Sequence, residues 1–277
     1  MNNAKPVAPR VMVLHAPGTN RDREAVFACN LAGGAAEIVH INQLVAGQRE
    51  LASYQMLVIP GGFSYGDDLG AGRLWANDLY HRLRQDLDVF VEQGKPVIGI
   101  CNGFQTLVKA GYLPGPAPKQ QVTLTFNQYA HFECRWVRLR AVAPCRSLFT
   151  AGMEQDILCP VAHGEGRFAI PDEATRQMLW DEQMVAIRYV APICDSDADN
   201  AAATVPVKDQ AGYPANPNGS VDDIAGICNR AGNVLGLMPH PEDHVFAQQY
   251  PRWHRGAFGG LGLVLFTNGV RAAQSFS

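Results

Sequence analysis

The chain has 277 residues with 23 basic and 26 acidic side chains, a formal net charge of −3; at roughly 150 residues per domain this suits two small domains or one large α/β domain, and the near-balanced charge gives no electrostatic basis for a nucleic acid or an anionic membrane as partner. Hydrophobic residues at 47% and charged ones at 18% exclude a disordered chain. Seven scattered cysteines without a C-x-x-C pair argue against a disulfide framework and a structural zinc site, and for a reducing, cytoplasmic setting.

The polar start MNNAKPVAPR, read as an extension over residues 1–10, lacks the features of a signal peptide, and no run approaches the ~18 apolar residues of a membrane span. From there the first half alternates β and α. Residues 11–14 (VMVL) form a short apolar strand that ends in the turn chemistry of APGTN, and Asp22 is placed to cap a helix running to about Ala32, stopped by Gly33-Gly34. Residues 37–41 and 56–59 predict two further strands, the second halted by Pro60-Gly61-Gly62. Leu79, Leu83, Leu87 and Phe90 lie on one face of a single amphipathic helix over residues 77–93, closed by Gly94. Residues 97–100 are apolar on both faces, as a central parallel strand requires, and deliver Cys101 at its end before a helix over residues 104–110.

Beyond residue 122 the pattern turns antiparallel. The apolar phase shift from Phe132, Cys134 and Trp136 to Val137 and Leu139 predicts a bulge. Another strand follows at residues 184–190, and residues 224–229 and 234–238 predict a hairpin around Arg230-Ala231-Gly232-Asn233. The acidic stretch at residues 195–199 reads as a solvated loop before a docking surface. Without an internal repeat or low-complexity linker, one α/β unit over residues 11–277 is favoured over two.

The chemistry concentrates in three turns. Gly99-Ile100-Cys101-Asn102-Gly103 places a thiol at a sharp strand-to-helix turn, the logic of the nucleophile elbow with Cys for Ser, and the helix N-terminus favours a thiolate. A buried cysteine closing a core strand is the plain structural alternative. A nucleophilic thiol needs a base, and Met238-Pro239-His240-Pro241-Glu242 supplies an imidazole held between prolines, with a carboxylate two residues on to orient it. His163, in His163-Gly164-Glu165-Gly166, is a lesser rival for that role. The amides of Gly62 and Asn102 are candidate donors to an oxyanion; a phosphate cradle at Gly61-Gly62 lacks any accompanying Walker or G-x-G-x-x-G pattern, and a simple tight turn stays open.

Taken together, PGGFSYGDD (60–68), GICNGFQTL (99–107) and MPHPE (238–242) resemble the class I glutamine amidotransferases. More narrowly, APGTN, HGEGRF (163–168) and YPANPNGS (213–220) resemble the glutaminase components of phosphoribosylformylglycinamidine synthases, in collinear order from about residue 11 to 242. The resemblance implies a flavodoxin-like fold, with a largely parallel central sheet flanked by helices and additional antiparallel strands. It implies that Cys101 attacks the side-chain amide of L-glutamine, that His240 and Glu242 complete the triad, and that Gln105, Gly164, Glu165 and Gly166 hold the substrate. No cofactor and no metal are then expected on this chain. A separate synthetase subunit would use ATP and magnesium, with a small accessory subunit bridging the two. Another class I amidotransferase, a stand-alone cysteine hydrolase on the same fold, and a non-enzymatic subunit are the competing readings. Two departures from the family pattern lie near the motifs: Asp243-His244 follow where an arginine is usual, and Arg21 stands where a cysteine is common. The tail beyond about residue 245, with Trp253 and the apolar run at 261–266, reads as an extension carrying an extra helix or a partner contact.

Overall fold

The computed structural model describes residues 7–191, 210–255 and 260–277, so the acidic stretch at residues 195–199 lies outside the described residues. Nine strands form one sheet: β1 (Arg10–His15), β2 (Ala35–His40), β3 (Met56–Ile59), β4 (Val97–Ile100), β6 (Glu133–Ala141), β7 (Ile157–His163), β9 (Val185–Val190), β10 (Ile224–Cys228) and β11 (Val234–Leu237), in the spatial order β2-β1-β3-β4-β11-β10-β9-β6-β7. The first five of these are parallel and the rest antiparallel. The parallel part repeats the 2-1-3-4-5 order of doubly wound flavodoxin-like sheets, with its fifth strand taken from late in the chain. A two-stranded ribbon pairs β5 (Thr123–Thr125) with β8 (Arg167–Ala169), and helices α2 (Ile41–Val45) and α6 (Glu173–Asp181) follow β2 and β8.

Strands β3, β4 and β11 are buried on both faces, which explains why they read as unbroken apolar runs. Side chains alternate between faces along a strand. Ile59 of β3 accordingly meets α5 (Asn102–Lys109), while Met56 meets α7 (Leu263–Ala273), the helix anticipated in the C-terminal apolar run. The glycines bracketing Cys101 serve this packing: a Cβ at Gly99 would lie 2.5 Å from Leu107 Cδ1, and one at Gly103 would lie 1.8 Å from the Ile59 carbonyl oxygen. Helix α5 can therefore settle directly on the strand ends.

Several sequence expectations are corrected. Helix α1 (Asp22–Leu31) has Arg21, not Asp22, at its N-cap position; Asp22 occupies the first turn, with its carboxylate 2.7 Å from His15 Nδ1. The helix expected over residues 77–93 is two, α3 (Arg73–Arg82) and α4 (Arg84–Glu92), broken at Leu83 (φ −122°, ψ 4°). Trp75, Ala76 and Leu79 of α3 and Leu87 and Phe90 of α4 are all buried. The break lets α3 pack on α5 while α4 packs on the turn at Leu51–Ser53. Strand β6 runs without a bulge against both neighbours. Its core-facing phase is Glu133, Val137 and Leu139 throughout, with Glu133 neutralised by Arg135 Nε at 2.6 Å. The irregular register lies instead between β9 and β10. A buried, paired glutamate broke the hydrophobic alternation, and that mimicked a bulge.

Because the Ile59 carbonyl is backbone and cannot swing aside, Gly103→Ala should destabilise the fold by about 3 kcal/mol or more, despite alanine's better helix propensity. A urea-unfolding midpoint equal to wild type would remove this contact as the reason for the glycine.

Candidate active site

Parallel strands β3, β4 and β11 are adjacent and in register, with Ile59 opposite Gly99 and Ile100 opposite Leu237. They end level. The turns that follow them therefore lie side by side at the carboxyl edge of the sheet, where open α/β sheets hold their ligands. Cys101 comes between Gly61-Gly62 on one side and His240 on the other.

Cys101 is 5% exposed and sits at φ 50°, ψ −104°, a left-handed conformation rare for a residue with a Cβ. Such backbone costs on the order of 1–3 kcal/mol. It is held because the Cys101 N–H donates to the Leu237 carbonyl (2.8 Å) while the Cys101 carbonyl opens α5 by accepting from Gln105 N–H (3.1 Å). His240 contacts Cys101, and its Nδ1 lies 2.7 Å from Glu242 Oε1. Both side chains of that pair are almost wholly buried. Burial works against a charged His240, but Glu242 and Cys101 together outweigh it and hold the imidazole well above its usual range. Thiol, imidazole and carboxylate in this order make a nucleophile, its base and the group that orients the base.

Gly61 and Gly62 owe their identity to what crowds them. A Cβ at Gly61 would lie 2.6 Å from His240 Cε1, and one at Gly62, at φ 149°, would lie 2.7 Å from the Gly18 carbonyl oxygen. The loop after β1 clamps this turn: Asn20 and Arg21 N–H donate to the Gly61 carbonyl (both 3.3 Å), and Phe63 N–H donates to Gly18 (3.0 Å). Among the described residues neither the Gly62 amide nor the Asn102 amide, the first of α5, has a protein acceptor. Both flank Cys101, as donors to an oxyanion would.

The far edge of the sheet closes the site. Although β7 is last in strand order, it returns against the end of β11: the His240 N–H donates to the Pro160 carbonyl (2.8 Å), and Cys101 Sγ lies 3.8 Å from that of Ala162. This brings residues 163–166 to the nucleophile. The ring nitrogens of His163, the lesser candidate for a base, face Asn127 Oδ1 (3.2 Å) and Asn218 Nδ2 (3.4 Å). Burial, helped by the charge on His240, pushes His163 down to about 3. Asn127 also takes the Gly166 N–H (2.9 Å) and donates to the His163 carbonyl (2.8 Å), while Asn218 donates to the Gly166 carbonyl (2.9 Å). The YPANPNGS segment is thus a scaffold for this loop.

Gln105, expected among the residues that hold the substrate, spans from Asn102 to the loop at 163–166. Its Oε1 accepts from Asn102 Nδ2 (3.0 Å) and its Nε2 donates to the Glu165 carbonyl (2.7 Å). The Glu165 carboxylate in turn takes the Ala71 N–H (3.4 Å). Asn102 matters through its side chain as well as its amide: Oδ1 accepts from Ser64 N–H (3.1 Å), and Nδ2 donates to Asp67 (3.1 Å). Sequence reasoning assigned no part to the Asn102 side chain, Asp67, Asn127 or Asn218. Asn102, Asp67 and Asn218 lie inside the quoted motifs, which was the signal available for them; Asn127 lies in none. The two departures from the family pattern also meet, with Arg21 Nε 3.2 Å from Asp243 Oδ2.

A family model described as the CobB/CobQ-like glutamine amidotransferase domain matches residues 8–271. The phosphoribosylformylglycinamidine synthase subunit PurQ of Treponema denticola is 46% identical over 255 residues, covering 87% of this chain and 90% of that protein. The subunit of the same name from Dehalococcoides mccartyi is 42% identical, covering 96% and 98%. Among solved structures, a chain of PurLQS from Thermotoga maritima superposes with a TM-score of 0.69 at 30% identity, over 96% of this chain and 99% of that one.

The neutrality of His163 has a consequence for stability. The unfolded chain takes up this proton as pH falls through 6.5, whereas the folded chain resists until about 3; the contribution is full above pH 6.5 and is lost progressively toward pH 3. Urea unfolding across that window should show a shallower pH slope in His163→Gln than in wild type. Equal slopes would mean His163 is not a buried neutral imidazole.

Proposed function

This chain belongs to the CobB/CobQ-like glutamine amidotransferase family, and from that premise we propose that it is the glutaminase subunit of a phosphoribosylformylglycinamidine synthase, hydrolysing L-glutamine and passing ammonia to a synthetase subunit. One observation carries this reading: the strained Cys101, the His240–Glu242 pair and two unpaired amides converge on one point at the ends of three adjacent strands.

In this reading Cys101 Sγ attacks the side-chain amide carbon of glutamine. The negative oxygen of the tetrahedral intermediate is met by the Gly62 and Asn102 N–H groups, each such donor being worth roughly 3 kcal/mol. His240, protonated and oriented by Glu242, gives its proton to the departing nitrogen, and ammonia leaves. A water molecule, deprotonated by His240, then hydrolyses the γ-glutamyl thioester to glutamate. Residues 163–166 wall the substrate. The synthetase consumes the ammonia in the ATP- and magnesium-dependent conversion of formylglycinamide ribonucleotide to its amidine, with a small accessory subunit between the two. No cofactor or metal is assigned to this chain. Among the described residues, no helix is long and apolar enough to cross a membrane, and a cytoplasmic setting accords with the purine pathway and the free thiols.

The test is reconstitution with synthetase, accessory subunit, ATP, magnesium and formylglycinamide ribonucleotide. Cys101→Ala should abolish glutamine-dependent amidine formation and leave the ammonia-dependent rate unchanged, and the isolated wild-type chain should be a poor glutaminase. Ammonia-dependent turnover that requires Cys101 would overturn the division of labour. Peptide or ester hydrolysis by the lone chain, dependent on Cys101, would favour the stand-alone hydrolase.

A further inference from the structure

Arg21 and Asp243 have no part in the chemistry above, yet they meet where the oxyanion turn and the base segment join. Arg21 precedes α1, and its backbone N–H, with that of Asn20, holds the Gly61 carbonyl. Its guanidinium reaches across to Asp243 Oδ2 at 3.2 Å. Asp243 lies in the single turn Pro241–Asp243, whose closing N–H donates to the His240 carbonyl (3.2 Å). Ligand atoms of His240, Glu242 and Asp243 all lie within 4.8 Å of one another, and Glu242 Oε2 is buried without a hydrogen-bond partner. Two carboxylates therefore crowd one imidazole, an arrangement that calls for a cation. Arg21 supplies one.

We propose that Arg21 and Asp243 are positioning residues for the His240–Glu242 pair, their ion pair locking the base segment to the loop that holds Gly61 and keeping the Asp243 carboxylate from competing with Glu242 for His240. The assignment rests on the glutaminase reading of the site. A half-exposed ion pair of this kind is ordinarily worth ~0–1 kcal/mol, so its importance here comes from place: without Arg21, a second negative charge lies beside a buried imidazolium with nothing to hold it away. The groups facing Asp243 are His240 and Glu242 on its own segment, Arg21 and Glu24 from α1 and its lead-in, and Cys159 from β7. Burial and the neighbouring Glu242 push Asp243 up to about 6 against the opposing pull of His240 and Arg21. Its charge therefore changes near neutrality, and loss of Arg21 moves that change to higher pH.

The experiment compares wild type, Arg21→Met, Arg21→Lys, Asp243→Asn and the Arg21→Met/Asp243→Asn double variant. One readout is the pH profile of Cys101 alkylation by iodoacetamide in the full chain, followed by mass spectrometry of the Cys101 peptide. The other is glutamine- and ammonia-dependent turnover of the reconstituted complex. Arg21→Met should lower glutamine-dependent kcat roughly fivefold, with the defect small in acid and deepening as Asp243 ionises, and should shift the Cys101 alkylation profile. Arg21→Lys should restore most of the loss. The double variant should outperform Arg21→Met, since it removes the unpaired charge, and ammonia-dependent turnover should not change. Superimposable pH profiles, or a double variant whose loss is the sum of the two singles, would overturn the proposal. An alkylation profile that shifts in Arg21→Met, together with a wild-type complex that lacks glutamine-dependent turnover, would support the pair and overturn the glutaminase reading instead.

Discussion

The parallel pairing of β4 with β11 is the constraint on which the site depends. These strands are separated by about half the chain, yet Val97 to Ile100 pair residue for residue with Val234 to Leu237, and the ladder continues into the bond from the Cys101 N–H to the Leu237 carbonyl. That bond holds Cys101 in a backbone conformation it would not adopt alone, and it sets the distance from strand end to His240. A slip of one residue would turn the side chains of β11 to the opposite face and carry His240 away from Cys101. The small residues along this seam follow from the same demand. Gly99, Gly103 and Gly236 each lie where a Cβ would collide with the neighbouring helix, strand or core side chain.

Burial alone does not decide what a histidine does here. His163 and His240 are both buried, and both are joined to β7, one as its last residue and the other through the Pro160 carbonyl. One has neutral amides for company and stays uncharged; the other has a carboxylate and a thiol, and is held charged. Each favours the other's state, because the positive charge on His240 discourages a second one nearby. Asn127 and Asn218 thus occupy the ring nitrogens of one imidazole, while the other is left beside the thiol and the carboxylate.

Much of this was legible beforehand. The parallel strands stood out because burial on both faces leaves continuous apolar runs, and Cys101, His240 and Glu242 because strand-end turns rich in Gly and Pro have few reasons to carry reactive side chains. Misreadings arose where local pattern and tertiary demand diverged. Leu79, Leu83, Leu87 and Phe90 keep a helical spacing across a break that serves two packing partners. Glu133 interrupts the apolar alternation of β6 because a paired glutamate occupies a core position. Gln105 has both ends of its amide joined to partners from other motifs, an arrangement that local sequence does not show.

By itself, then, the amino-acid sequence determined the alternation of elements, the buried strands, the candidate reactive residues and the class of chemistry, since these follow from side-chain type, period and neighbours a few positions away. Only the tertiary structure decided which of those residues meet. It returned β7 to the end of β11, gave the ring of His163 amide partners, and joined Arg21 to Asp243 across more than two hundred residues. Strand register, sheet curvature and the partners of buried polar groups depend on long-range pairing energies, and no stretch of local sequence contains them.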